Sequence, residues 1–167
     1  KKKKKLRVME VALEIPTNDF SQEPAMDDEG CAEAMAFGMS AIEKGLDLFV
    51  PGEMGIGNTS SAAAIAHALY GGEAADWTGR GTGIDDETLI RKTRVVGDAI
   101  ILHKNQIHDG LDVLRCVGGR EIAAMAGAII AARFARVPVL LDGYVSCAAA
   151  AVLAAIRPDA LDHCLVG

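Results

Sequence analysis

Leu46-Asp47-Leu48-Phe49-Val50-Pro51-Gly52-Glu53-Met54-Gly55-Ile56-Gly57-Asn58-Thr59-Ser60-Ser61, continued by the alanine-rich run Ala62 to Tyr70, decides how this chain is read. An apolar segment, a glycine-rich turn and a helical segment follow one another. That order predicts strand, loop and helix, which brings backbone N–H groups and a helix N-terminus up to a phosphate. The spacing approaches a Walker A loop: Gly52 and Gly57 are five apart, and Thr59 occupies the Ser/Thr place. Asn58 stands where that motif needs lysine, and Glu53 adds a negative charge. The loop suits a phosphate but not a triphosphate.

Composition agrees with a layered α/β domain. In 167 residues the chain is 50% hydrophobic with only 4% aromatics, so its core is built from Ala, Val, Ile and Leu. Small residues favour helices packed closely on a parallel sheet. The net charge is −6, and Lys1 to Lys5 alone supply +5, leaving −11 on the remainder, which argues against a nucleic-acid surface. No apolar run reaches the roughly 18 residues of a membrane helix. The lysine run lacks an apolar stretch behind it and reads as a disordered end or an artefact, not a signal peptide. Cys31, Cys116, Cys147 and Cys164 form no CxxC pair, which fits buried thiols in a reduced cytoplasmic protein.

Outward from the loop, Leu6 to Ile15 reads as a strand stopped by Pro16. A helix is expected from Asp27-Asp28-Glu29 to about Lys44, then a short strand from Leu46 to Pro51. Asn58 or Thr59 would cap the next helix, to about Tyr70. A second glycine cluster, Gly79-Arg80-Gly81-Thr82-Gly83, precedes a helix ending near His103. Shorter helices are expected from Asp109 to Cys116 and from Arg120 to Phe134. Val137 to Leu141 reads as a buried parallel strand with Asp142 at its tip. Ser146 to Ile156 is helical, Arg157 to Asp159 a turn, and His163 to Val166 a last strand. The alternation predicts a Rossmann-like three-layer sandwich with a mainly parallel sheet.

Ligands gather at the C-terminal ends of parallel strands, where the Gly52–Ser61 loop and Asp142 fall. The glycines serve either a phosphate or tight turns and caps. Glu53 faces either a sugar hydroxyl or base N–H, or only water. Asp142 binds hydroxyls, a metal or a base, or caps the next helix. Arg80 and Lys92 are cation candidates, Lys92 being otherwise a surface residue. Asp85-Asp86-Glu87 reads as capping rather than a metal site, and His67, His103 and His108 as structural. Glu73 and Asp76 lie near the distance of a dinucleotide-binding acid, but behind a Gly-Gly turn.

Four segments then occur in order: GEMGIGNTSSAAAI (Gly52 to Ile65), GRGTGIDDETLIRK (Gly79 to Lys92), VGGREIAAMAGAI (Val117 to Ile129) and PVLLDGY (Pro138 to Tyr144). Together with PTNDFSQEPAM (Pro16 to Met26) they closely resemble the nicotinate-nucleotide–dimethylbenzimidazole phosphoribosyltransferases of cobalamin biosynthesis. The resemblance implies transfer of the 5-phosphoribosyl group of nicotinate mononucleotide to 5,6-dimethylbenzimidazole, giving α-ribazole 5′-phosphate and nicotinate with inversion at the anomeric carbon. It implies a homodimer with no metal or organic cofactor. Gly55, Gly57, Asn58, Thr59 and Gly81 would cradle phosphate and ribose, Glu53 would be catalytic, and Lys92 and Asp142 would lie near the phosphoribosyl and substrate groups. The family's general base is a glutamate in a later glycine-containing loop that these residues do not include, and its N-terminal segment is absent too. Residues 6–167 are therefore expected to be part of the large domain, with no useful turnover on their own. A non-catalytic phosphate- or nucleotide-binding module is the alternative, and a nicotinamide-dinucleotide oxidoreductase a third reading.

Overall fold

The computed structural model describes residues 6–81 and 83–167; the lysine run Lys1 to Lys5 lies outside them. Among the described residues, seven helices and a small parallel sheet make an α/β fold. The helices are α1 (Asp28–Met39), α2 (Asn58–Tyr70), α3 (Ala74–Trp77), α4 (Asp86–His103), α5 (Gly110–Val117), α6 (Arg120–Phe134) and α7 (Tyr144–Ile156), with strands β1 (Val139–Leu141) and β2 (Cys164–Val166).

β1 and β2 pair in parallel, Val139 opposite Cys164 and Leu141 opposite Val166. Parallel strands need a crossover, supplied here by α7 and a 3-10 turn over Pro158–Leu161. On the other edge of β1 sits Phe49: its N–H donates to Pro138 O at 3.0 Å, and Leu140 N–H donates to Phe49 O at 2.9 Å. The strand expected over Leu46 to Pro51 is thus a single bridge residue. Pro51, with no N–H to donate, cannot extend the ladder.

The strand expected over Leu6 to Ile15 does not form. Ala12 adopts φ +49°, and Ile15 N–H closes a turn onto Ala12 O, so the segment bends. β-branched residues favour a strand only where an edge exists to pair with. Leu6, Val8 and Leu13 stay exposed, and the segment is held by Arg7 on Glu43 at 2.7 Å and by Arg120 Nε on Ile15 O at 3.0 Å.

α1 stops at Met39, five residues short of the expected Lys44. Ser40 Oγ and N–H both donate to Phe37 O, tightening the last turn, a local competition typical of serine. By contrast α6 has the expected bounds, and α7 begins two residues before the expected Ser146.

The core is made of alanines and branched aliphatics. Ala62 to Ile65 of α2, Ile122, Ala123, Ala126 and Ile129 of α6, and Ala149 and Val152 of α7 are fully buried. A helix that is apolar on most sides is expected in the middle of a core, and α6 packs on both α1 and α7. Its approach to α1 is close because two glycines face it. A Cβ on Gly38 would lie 1.8 Å from Ala124 O, and one on Gly127 2.0 Å from Met35 O. Both are backbone collisions that no rotamer change relieves.

Gly127→Ala is therefore expected to destabilise the fold by about 1–3 kcal/mol through overpacking. Gly97→Ala on α4, where a Cβ would meet only Ala74 at 3.6 Å, is expected to stabilise by about 0.5–1 kcal/mol through helix propensity. Urea unfolding midpoints that move in opposite directions would bear this out.

Candidate active site

α2 begins without a side-chain cap. Its N-cap position is Gly57, at φ +88°, a left-handed conformation that glycine adopts without strain. The expected cap by Asn58 or Thr59 is not made, because both side chains are engaged elsewhere. Asn58 is 7% exposed and its Nδ2 donates to Glu53 Oε2, which also accepts the Gly55 N–H at 2.5 Å. Glu53 thus ties the glycine turn together rather than pointing its whole carboxylate outward. Its Oε1 has no hydrogen-bond partner among the described residues. Gly55 is required by space: a Cβ would sit 2.4 Å from Asn58 Nδ2 and 3.0 Å from Glu121 Oε1.

One residue further, Thr59 Oγ1 accepts from Lys92 Nζ at 2.9 Å, and the same ammonium donates to Gly79 O at 3.3 Å. Lys92 therefore reaches inward from α4 and joins the two glycine loops. Gly81, at φ +54°, brings the second loop against the first, its Cβ direction ending 3.8 Å from Thr59 Oγ1. Arg80 does not join them; it pairs with Asp86 and donates to Ile84 O at 3.2 Å. The first N–H groups of a helix lack partners inside it. Thr59, Lys92 and the start of α2 thus bring an ammonium, a hydroxyl and free N–H groups together, a candidate seat for a small anion. Burial without a facing carboxylate pushes the Lys92 ammonium below its ordinary pKa. A bound phosphate would reverse that effect.

Asp142 stands exposed at the tip of β1, and its carboxylate has no hydrogen-bond partner among the described residues. It is not the cap of α7: the N-cap is Gly143, with no side-chain bond. Two residues on, Tyr144 OH donates to Trp77 O at 2.9 Å, linking this tip to the segment that enters the second glycine loop. Burial pushes the Tyr144 hydroxyl up, so it stays a neutral donor.

On the other flank of Gly55–Asn58 opens a cleft of about 330 Å³. Its walls are Thr17 to Phe20, Gly55 to Asn58 with Ser61, and Gly118-Gly119 with Glu121. Glu121 escaped sequence reasoning because an acid in the first turn of a helix looks like ordinary dipole compensation. The nearby glycines were its only signal: a Cβ on Gly119 would lie 2.9 Å from Glu121 Oε2. The carboxylate fills space that Gly55 and Gly119 leave open.

Other candidates resolve into structural roles. Glu73 and Asp76 close a reciprocal capping box on α3, with Glu73 N–H on Asp76 Oδ2 at 2.9 Å. Asp85 caps α4 by accepting Thr88 N–H at 2.8 Å. Among the described residues no group of three or more His, Cys, Asp or Glu is placed to hold a metal, and no helix is long and apolar enough to cross a membrane. The four cysteines are unpaired, and burial lifts the Cys31 thiol to about 11.

Comparison with known proteins bears on this geometry. A family model described as phosphoribosyltransferase matches residues 2–167. Over 162 residues the chain is 59% identical to the nicotinate-nucleotide–dimethylbenzimidazole phosphoribosyltransferase of Methylocella silvestris, covering 97% of this chain and 48% of that protein. The namesake from Rhizobium rhizogenes is 58% identical with the same coverage. The crystal structure of CobT from Thermus thermophilus superposes with a TM-score of 0.83 at 36% identity, over 90% of this chain and 46% of that one. The chain spans about half the length of the curated relatives it matches.

The anion seat yields a prediction with a defined sign. Because the folded-state pKa of Lys92 lies below the ordinary lysine value, anion affinity should fall as pH rises through that lowered value. Lys92→Met should bind nicotinate mononucleotide about tenfold more weakly at neutral pH and lose this pH dependence. Calorimetric titration across pH checks both.

Proposed function

We propose a function that starts from one fact: the chain belongs to the phosphoribosyltransferase family. The reaction we infer is transfer of the 5-phosphoribosyl group from nicotinate mononucleotide to 5,6-dimethylbenzimidazole or a related base, for the lower ligand of cobalamin. The observation that carries this reading is the meeting of Thr59, Lys92 and Gly81 beside a turn whose backbone is fixed by Glu53 and Asn58. That seat offers the ammonium and N–H donors that one monophosphate needs, and the Glu53 carboxylate belongs to the same turn.

In this reading the phosphate lies on the first turn of α2, held by N–H groups, Thr59 and Lys92. Gly55 and Gly57 let the backbone approach it. The ribose extends over Glu53, whose free Oε1 accepts a sugar hydroxyl and stabilises positive charge as the glycosidic bond to nicotinate breaks. The cleft beside Asn58 and Glu121 takes the acceptor, whose ring nitrogen attacks the anomeric carbon from the face opposite the leaving group, giving inversion. The leaving pyridinium becomes a neutral pyridine, so it needs no strong acid. As one ring nitrogen attacks with its lone pair, the other must give up its proton, which calls for a carboxylate base. We assign that base to a glutamate in the part of the relatives' length that this chain does not span, and residues 6–167 to part of the large domain. To Asp142, exposed at the tip of β1, we assign hydroxyls of the substrate.

The relatives' names support both substrates. The unpaired cysteines suit a reduced cytoplasm. A homodimer follows from the family resemblance. No step in this scheme uses a metal or organic cofactor.

The test is to incubate the protein, at the full length of its relatives, with nicotinate mononucleotide and a panel of benzimidazoles, and to detect products by mass. α-Ribazole phosphate is expected. Glu53→Gln should lower kcat more than it weakens nucleotide binding. Asn58→Ala, which removes the partner of Glu53, should mainly weaken nucleotide binding. Absence of any ribosylated product from the wild-type protein would refute the assignment.

A further inference from the structure

α4 carries a second polar side chain that the anion seat does not use. His103, in the last turn, is fully buried. Its Nε2 lies 2.8 Å from Phe20 O, across 83 residues of sequence, while Nδ1 is buried without a partner among the described residues. A carbonyl oxygen only accepts, so Nε2 must carry the proton. The arrangement specifies a ring hydrogen on Nε2, donated to the Phe20 carbonyl.

Phe20 belongs to the wall of the cleft beside Asn58 and Glu121. The stem of that wall is fastened to α5 by Ala25 N–H on Cys116 O at 2.9 Å and Met26 N–H on Arg115 O at 3.1 Å. The tip is shaped internally, Asp19 accepting from Ser21 and Gln22. These bonds give the tip its form but do not attach it to the body. Among the described residues, His103 to Phe20 is the one hydrogen bond from Asp19–Phe20 to another element. Lys92 and His103 lie eleven residues apart on α4, about 16 Å along its axis. A single helix therefore meets the anion seat with one residue and the cleft wall with the other.

We propose that His103 is a positioning residue: through Nε2–H it fixes the Phe20 carbonyl, and with it the wall against which an azole acceptor packs. The proposal rests on the assignment of this cleft to the acceptor. His103 touches no substrate; it sets the width of the cleft and leaves the phosphate end unaffected.

The experiment compares His103→Leu, which cannot donate, with His103→Gln, whose amide can, in the protein at the full length of its relatives. His103→Leu should raise KM for the benzimidazole about tenfold and leave KM for nicotinate mononucleotide within about twofold, with His103→Gln recovering most of the loss. Equal changes in both constants, no change in the acceptor constant, or a Gln variant no better than Leu would overturn the proposal. A second measurement needs no variant to fold. The ring 15N shifts of His103 in the wild-type protein should report a hydrogen on Nε2, and a tautomer with Nε2 bare would refute it. A wild-type protein that forms no ribosylated product would instead count against the functional assignment, with the ring tautomer still deciding the bond.

Discussion

Glu53 Oε2 receives two donors at once, the backbone N–H of Gly55 and the buried amide of Asn58. Hydrogen bonds to an ionised acceptor are roughly twice as strong as neutral ones, and an amide buried without them would carry a desolvation penalty. The glycine turn is thereby held in one conformation before any ligand arrives. Everything at the site hangs from this turn: Thr59 faces the anion seat on one side, and Gly55 to Asn58 face the cleft on the other. Loss of either donor would free a backbone that passes from the bridge at Phe49 to helix through a left-handed glycine.

The fold delivers the other parts to that turn by rigid packing. α2 is locked into the alanine core against α7 and α4, so its first turn cannot drift. α4 lies alongside and brings Lys92 to Thr59. Tyr144, at the start of α7, pulls the approach to the second glycine loop toward the tip of β1. α6 brings Glu121 and the paired glycines to the back of the cleft, and its own place is fixed by the close crossing with α1 at Gly38 and Gly127. Small residues in the core therefore have a consequence at the site: they let the helices that carry these loops approach one another closely.

What could be read from sequence divides along physical lines. Helices carry local signals, so α6 was legible to its ends from Gly119 and an alanine-rich run, and α4 from its Asp85 cap and the apolar period up to His103. Strands depend on partners far away in sequence. Leu6 to Ile15 has the residues of a strand but no edge to join, and Leu46 to Pro51 keeps one bridge at Phe49. The order of loop and helix over Gly52 to Tyr70 was visible in the spacing of its glycines and the alanine run that follows. The bond between Glu53 and Asn58 was not, because each was judged against a Walker loop and their mutual satisfaction is a matter of three dimensions. Lys92 was a cation candidate beside the reading of a surface lysine, and its bond to Thr59 was not legible, since helix position alone does not tell which side faces a glycine loop. Glu121 was hidden by the commonness of acids in first helical turns.

The central claim is that the first turn of α2 and Lys92 receive the phosphate of a ribonucleotide. A crystal structure of the chain soaked with nicotinate mononucleotide tests it most directly. The account predicts the phosphate within hydrogen-bond distance of Lys92 Nζ and Thr59 Oγ1, with the ribose over Glu53. A phosphate bound away from α2, or one that leaves the Lys92–Thr59 pair untouched, would contradict it.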